Sequence, residues 1–251
     1  MPFRAHTHKL KNFEISFSPK RGGIITSIKQ DIHEILYLNL DTFNNPEKNV
    51  RGGIPLLFPN AGPLDNGDIY KLNQHGFVRN SIFEIESITS KNITLKLILE
   101  EKYKEVFPFS FEYKLLISTQ DDFLKITQYI KNTGKVSMPV SPGFHPYFLV
   151  DNKLKKDVKF SFSGDNYFDI WSIGDTKELK NPGKFEVDFG EYILEFDYDK
   201  IFKYIWLWSE EGKDFLCIEP IYEKENGLLD NPFILGTGES VEMSMGVKIK
   251  K

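Results

Sequence analysis

The chain has 251 residues, 40% of them hydrophobic, with 22 Phe, 11 Tyr and 3 Trp, enough to fill a sizeable core. Its 32 Lys and Arg nearly balance 36 Asp and Glu, for a net charge of −4, so no general attraction to nucleic acid or membrane is expected and any anion site must be local. Cys217 is the only cysteine, residues 1–17 carry no apolar signal core, and no apolar run nears the roughly 20 residues of a spanning helix, so the expectation is a cytoplasmic protein without an internal disulfide.

In chain order, residues 31–37 fit a short helix or a strand. Residues 51–79 are rich in Gly and Pro and break the strand pattern, yet keep apolar and aromatic side chains, the mark of an ordered irregular segment where sites tend to form. Alternating Ile, Phe, Leu, Tyr and Val then predict strands over 81–86, 92–100, 111–117, 123–130, 158–162, 185–189, 192–196, 204–208, 215–218 and 241–249. The pair 111–117 and 123–130 reads as a hairpin across 118–122. The charge run 153–159 reads as a solvated loop or edge strand. Dense turn signals between short strands predict an all-β sandwich or barrel in one domain over residues 1–251.

Few residues stand out chemically. His145 lies in Ser-Pro-Gly-Phe-His-Pro-Tyr-Phe and is held extended by Pro146. His75 precedes Gly76, which permits close backbone approach, and Arg79 brings a fixed charge nearby. Glu219 ends an apolar strand before Pro220, a position where a carboxylate needs a reason; an ion pair with Lys213 or Lys224 is the ordinary one. Arg51 and Arg79 flank the irregular segment and can grip hydroxyls, carboxylates or phosphate, or form structural salt bridges. His6 and His8 would share a strand face, half of a metal site, but have no patterned partners and read as exposed. Cys217, within an apolar strand and without a neighbouring base, reads as core. Phosphate-loop, dinucleotide, HExxH and G-x-S-x-G signatures are absent. What remains is an acid–base set of His and Glu with Arg support.

Arg51-Gly52-Gly53-Ile54-Pro55, Phe58-Pro59, His75-Gly76-Phe77-Val78-Arg79, His145-Pro146-Tyr147-Phe148 and Phe215–Pro220 together resemble the aldose 1-epimerase family, near its hexose-6-phosphate 1-epimerase-like branch. The resemblance implies a large antiparallel β-sandwich, the galactose mutarotase-like supersandwich, and a mutarotase that interconverts hexose anomers without a cofactor or metal. It implies Glu219, His145 and His75 as catalytic residues and Arg51 and Arg79 as substrate-binding ones, with Asp165 or Asp169 as the aspartate that holds sugar hydroxyls. The continuation Asn60-Ala61-Gly62-Pro63-Leu64 departs from the more aromatic one of hexose-6-phosphate epimerases, which leaves phosphorylated and free sugars both open.

Free Glu has a pKa of about 4.3 and free His about 6.5, so an ionised Glu219 as base and a protonated His145 as acid is the expected division. His75 would stabilise charge on the ring or C1 oxygen. Tyr147, Phe148 and Phe77 are expected beside the site. The partner is a small-molecule sugar or sugar phosphate, bound by a monomer or weak homodimer. A non-catalytic carbohydrate-binding protein on the same fold is the alternative from another class, and a lyase-like domain is a further one.

Overall fold

The computed structural model describes residues 3–64, 70–162 and 174–250. Among them the strands pair antiparallel throughout their ladders. Eight form one sheet, in the order Lys159–Phe160, Lys184–Asp188, Ile193–Tyr198, Ser240–Ile249, Phe123–Asn132, Phe111–Gln120, Asn92–Ile98, Ile82–Ile88. A second, six-stranded sheet runs Lys177–Lys180, Tyr204–Trp208, Phe215–Ile221, Gly143–Phe144, Leu56–Leu57, with Tyr147–Leu149 also paired to Phe215–Ile221. A four-stranded sheet of His6–Leu10, Phe13–Ser18, Ile24–Gln30 and His33–Glu34, and a ribbon of Met138–Val140 with Phe233–Leu235, complete the fold.

The two large sheets share a core because alternate residues of each face inward. Tyr113, Ile117, Ile126, Phe196 and Met245 from the first meet Phe144, Phe148, Ile205, Leu207, Leu216 and Ile218 from the second in one apolar cluster. Two buried polar ties cross between them. The Tyr198 hydroxyl donates to the Ile218 carbonyl at 2.8 Å, and Gln128 Nε2 donates to the Gly143 carbonyl at 2.7 Å. The strand Phe215–Ile221 is buried along its whole length, with neighbours on both edges and cover on both faces. Residues on its outer face, Cys217 and Glu219, are thus removed from water without entering the apolar core between the sheets.

The expected sandwich holds, with local differences. The 31–37 stretch is strand at His33–Glu34, and the long hairpin turns tightly at Asp121-Asp122, both with positive φ. A bulge between Ile85 and Ser87 shifts the edge-strand register and leaves Ile85 38% exposed. The charge run forms a turn of 3-10 helix at Lys155–Asp157 before the edge strand Lys159–Phe160. Within it Lys155 is buried rather than solvated. Its ammonium donates to Ser209 Oγ at 2.7 Å and to the Glu210 carbonyl at 2.9 Å, and burial lowers its pKa to about 8.

The irregular segment 51–79 is tied to the six-stranded sheet by its backbone. His145 N–H donates to the Pro55 carbonyl at 3.0 Å, Tyr147 N–H to Gly53 at 2.9 Å, and Ser141 N–H to Pro59 at 2.7 Å, beside a cis Phe58–Pro59 bond. The segment returns at His75-Gly76, two consecutive residues with φ of 67° and 68°. That left-handed pair brings Phe77 N–H onto the Phe58 carbonyl at 3.0 Å and turns the His75 ring back toward Gly62. A Cβ at Gly76 would lie 2.0 Å from the Phe58 carbonyl oxygen. Gly76→Ala is therefore expected to cost at least about 2 kcal/mol, since both the left-handed φ and a backbone clash oppose it. Thermal denaturation measures this, and an unchanged melting temperature would contradict the placement of this turn.

Candidate active site

A cleft of about 300 Å³ opens on the outer face of the six-stranded sheet. Asn49, Arg51, Gly62, Pro63, Gln74, His75, Arg79, His145, Gly174, Thr176, Trp206, Trp208, Glu219 and Glu225 line it. Strand alternation selects its floor. Trp206 and Trp208 project from one strand and Glu219 from the next, where it is register partner of Trp206. His145 sits in the break between Gly143–Phe144 and Tyr147–Leu149, where Pro146 interrupts the ladder. A larger depression, of about 640 Å³, lies elsewhere and is lined by surface groups such as Asp121, Lys125, Lys184 and Asp199. It gathers no buried acid–base pair, so the chemistry points to the smaller cleft.

Five of the seven sequence-derived site residues converge there; Asp165 and Asp169 lie outside the described residues. Glu219 and His145 are 2% and 5% exposed, and Glu219 Oε1 stands 3.5 Å from His145 Nδ1. That approach is not a formed hydrogen bond, and His145 Nδ1 and Glu219 Oε2 are both buried without a partner. Among the described residues no lysine lies within 4.0 Å of Glu219. Lys224 pairs with Glu178 instead, at 2.8 Å, so the ordinary ion-pair account of Glu219 is set aside.

The His75 ring meets that of His145 edge to face at 5.4 Å between centroids. Its Nδ1 accepts from the Gly62 N–H at 3.0 Å, which places the ring hydrogen on Nε2 in the neutral tautomer. Burial, with Arg79 and Arg51 nearby, lowers its pKa to about 3, so it stays a neutral hydrogen-bond donor. Arg79 is 9% exposed on a 3-10 turn, and among the described residues no carboxylate lies within 4.0 Å of it. Arg51 lies at the rim, its guanidinium over the Trp208 ring at 5.1 Å and 3.7 Å from Glu210.

Burial opposes the expected ionisation of both groups. Loss of water pushes Glu219 well above the usual carboxylate range, an effect that Arg79 and Arg51 only partly offset. Burial likewise pushes His145 well below the usual imidazole range, helped by His75, Arg79 and Arg51. Burial therefore favours the uncharged forms of both groups, a protonated Glu219 beside a neutral His145, over an ion pair. One mobile proton belongs to the two groups jointly, and either can give while the other takes.

A family model described as aldose 1-epimerase matches residues 7–204. The chain belongs to the aldose 1-epimerase family. This is a family of isomerases. A Cenchrus ciliaris protein named "putative glucose-6-phosphate 1-epimerase" is 29% identical over 194 residues, 72% of this chain, which spans only 55% of that protein. The crystal structure of the Slr1438 protein of Synechocystis has a TM-score of 0.84 at 28% identity, over 99% of this chain and 97% of the other. The galactose mutarotase related enzyme of Lactobacillus acidophilus, at 20% identity and a TM-score of 0.80 over 99% and 98%, shares the fold.

Against this aldose 1-epimerase sandwich the aromatic expectations divide. Tyr147 lies behind the cleft lining, fully buried and stacked on His145 at 4.7 Å with ring planes 3° apart. Phe148 points the other way, into the inter-sheet core, because neighbours along a strand face opposite sides. Phe77 also turns into the core, stacked on Tyr103 at 4.2 Å. The indoles of Trp206 and Trp208, and Glu225, are among the cleft residues that sequence reasoning missed. The i, i+2 spacing of the two tryptophans, beside the glutamate strand, was the available signal. Cys217 is core as expected but does have acid–base neighbours, since its sulfur lies within 4.8 Å of the ligating atoms of His145 and Glu219. His6 and His8 are half-buried rather than exposed; His6 stacks on Phe17, and His8 Nε2 lies 3.0 Å from the Thr89 carbonyl.

The Glu219 burial has a stability consequence. A carboxyl whose pKa is raised by folding stabilises fully below its unfolded value, about 4.3, and loses that contribution as pH rises toward the folded value. Glu219→Gln removes the titration, so the variant is expected to gain on wild type by about 1.4 kcal/mol per pH unit across that window and to be the more stable protein at pH 7. Chemical denaturation from pH 4 to 8 measures the difference, and a variant less stable at pH 7 than at pH 4, relative to wild type, contradicts it.

Proposed function

We propose that the chain interconverts the α and β anomers of a hexose 6-phosphate, with Glu219 and His145 as the proton-transfer pair. The observation that carries the reaction is the buried carboxyl–imidazole pair, 3.5 Å apart on the cleft floor, whose uncharged forms burial favours. One group takes the proton of the C1 hydroxyl while the other protonates the ring oxygen. The C1 to ring-oxygen bond breaks, C1 becomes a carbonyl carbon, and the electron pair leaves on the ring oxygen. After rotation about C1–C2, closure on the other carbonyl face returns both protons. Because the pair ends each half-reaction with its single proton on the opposite partner, it is ready for the reverse step. His75, whose Nδ1 is taken by the Gly62 N–H, uses its Nε2–H to donate to an oxygen that gains charge during opening. The indole faces of Trp206 and Trp208 suit the apolar CH faces of a pyranose.

A phosphorylated substrate is supported by Arg79. A guanidinium that is nine-tenths buried and has no carboxylate at salt-bridge distance among the described residues needs an anion, and Arg51 lies on the same cleft, over the Trp208 ring and 3.7 Å from Glu210. The relative from Cenchrus ciliaris carries a name consistent with that reading. A free hexose is the second reading, and Glu225 favours it. Its carboxylate lines the same cleft, where it accepts from sugar hydroxyls and opposes a phosphate. A purely binding role has no use for a buried pair that shares a proton.

Anomer exchange measured by NMR on glucose 6-phosphate and glucose tests both parts. Glu219→Gln is expected to lower kcat at least about 10³-fold for either sugar, as loss of a general acid–base group does. Arg79→Met is expected to raise KM for glucose 6-phosphate at least about tenfold while changing that for glucose little, as loss of a charge-assisted phosphate contact requires. Near-wild-type turnover in Glu219→Gln sinks the reaction. Equal effects of Arg79→Met on the two sugars favour the free hexose.

A further inference from the structure

Cys217 has no part in the reaction above, yet it stands directly beneath the reacting pair. It precedes Glu219 by two residues on the same strand, so both side chains leave the same face, and its register partners Tyr147 and Trp208 flank it on the adjoining strands. His145, Cys217 and Glu219 are all buried, and one ligating atom from each lies within 4.8 Å of the other two. Two observations mark this as more than close packing. His145 Nδ1 and Glu219 Oε2 are buried and unpartnered, and the 3.5 Å between His145 Nδ1 and Glu219 Oε1 does not form a hydrogen bond.

A tetrahedral zinc ion with bonds of about 2.0–2.3 Å sets its ligand atoms roughly 3.3–3.8 Å apart. The His145–Glu219 separation already falls in that range, and the sulfur needs to move by about 1 Å at most. The donor set of one imidazole nitrogen, one thiolate and one carboxylate suits zinc or another thiophilic dication and not magnesium or calcium, which take oxygen shells. The fourth position faces the cleft, where His145 and Glu219 form part of the lining.

We propose that His145, Cys217 and Glu219 form a site for a thiophilic divalent cation such as Zn²⁺, and that its occupancy reversibly inhibits the enzyme by consuming the proton-transfer pair. The inhibition rests on the epimerase reading above; the metal site does not. On binding, the Cys217 thiol and Glu219 carboxyl give up one proton each to solvent, and a single dication takes their place. The net charge facing Arg51 and Arg79 is then unchanged, so the two guanidinium groups do not bar the ion. A sugar in the cleft meets the same two side chains, so sugar and zinc compete.

Cobalt(II) titration reads the site without any assay of turnover. Wild type is expected to bind one equivalent and develop a thiolate-to-cobalt charge-transfer band. Cys217→Ser is expected to lack the band and to bind Zn²⁺ at least about tenfold more weakly, while a His6→Ala/His8→Ala variant keeps both. The zinc X-ray absorption spectrum of the wild type, which needs no variant to fold, is expected to show one sulfur at about 2.3 Å. Anomer exchange is expected to fall with added Zn²⁺ and recover with EDTA, at lower zinc concentration in wild type than in Cys217→Ser. No sulfur in the zinc shell, or a cobalt band that survives in Cys217→Ser, overturns the site. Binding with a sulfur ligand but no zinc effect on measurable anomer exchange overturns the inhibition. A chain that binds zinc through sulfur and has no anomerase activity contradicts the proposed function and leaves the metal site standing.

Discussion

The site depends on a carboxyl and an imidazole being kept from water without being given formal partners. The strand Phe215–Ile221 is buried along its length, so Glu219 meets only the cleft and is 2% exposed, and among the described residues no lysine comes within ion-pair distance of it. A buried carboxylate in that position is expensive, and the protein meets the cost by keeping the group protonated and the adjacent imidazole neutral. Charge enters the site only when a proton moves, and Arg79 and Arg51 stand where they favour the carboxylate when it forms.

The rest of the architecture serves that arrangement. The eight-stranded sheet buries the inner face of the six-stranded one, and the ties from Tyr198 to Ile218 and from Gln128 to Gly143 fix the two strands that flank the reacting pair. The irregular segment 51–79 supplies the cover. Its backbone bonds to His145 and Tyr147 hold the strand break at Pro146 in place, and the left-handed His75-Gly76 turn brings the His75 ring against that of His145. Regular strands make the floor rigid, and the irregular chain above it brings in the polar groups that a ladder could not aim.

Much of this was legible in the sequence. Period-two alternation located the ten predicted strands, and the residues before Pro146 and Pro220 stood out because a polar group at the end of an apolar run needs a use. What was not legible has physical causes. Ionisation depends on burial, which no spacing reports, so free pKa values carry no trace of the burial that pushes Glu219 up and His145 down. Phe148 and Phe77 adjoin site residues in sequence but face the core, because proximity along a strand places side chains on opposite sides. The same rule would have selected Trp206 and Trp208, and Lys155 was hidden in a run of charges whose other members are solvent-facing or half-buried. Asp165 and Asp169 lie outside the described residues.

The central claim is that the reacting pair is uncharged before substrate binds. Nitrogen-15 NMR of the His145 ring, assigned by comparison with a His145→Asn variant and followed from pH 8 to pH 4, tests it directly. The account predicts the shifts of a neutral imidazole well below the ordinary value of about 6.5. A ring that is already protonated at pH 7, or that titrates near 6.5, would contradict it and restore an ion pair of ordinary charge.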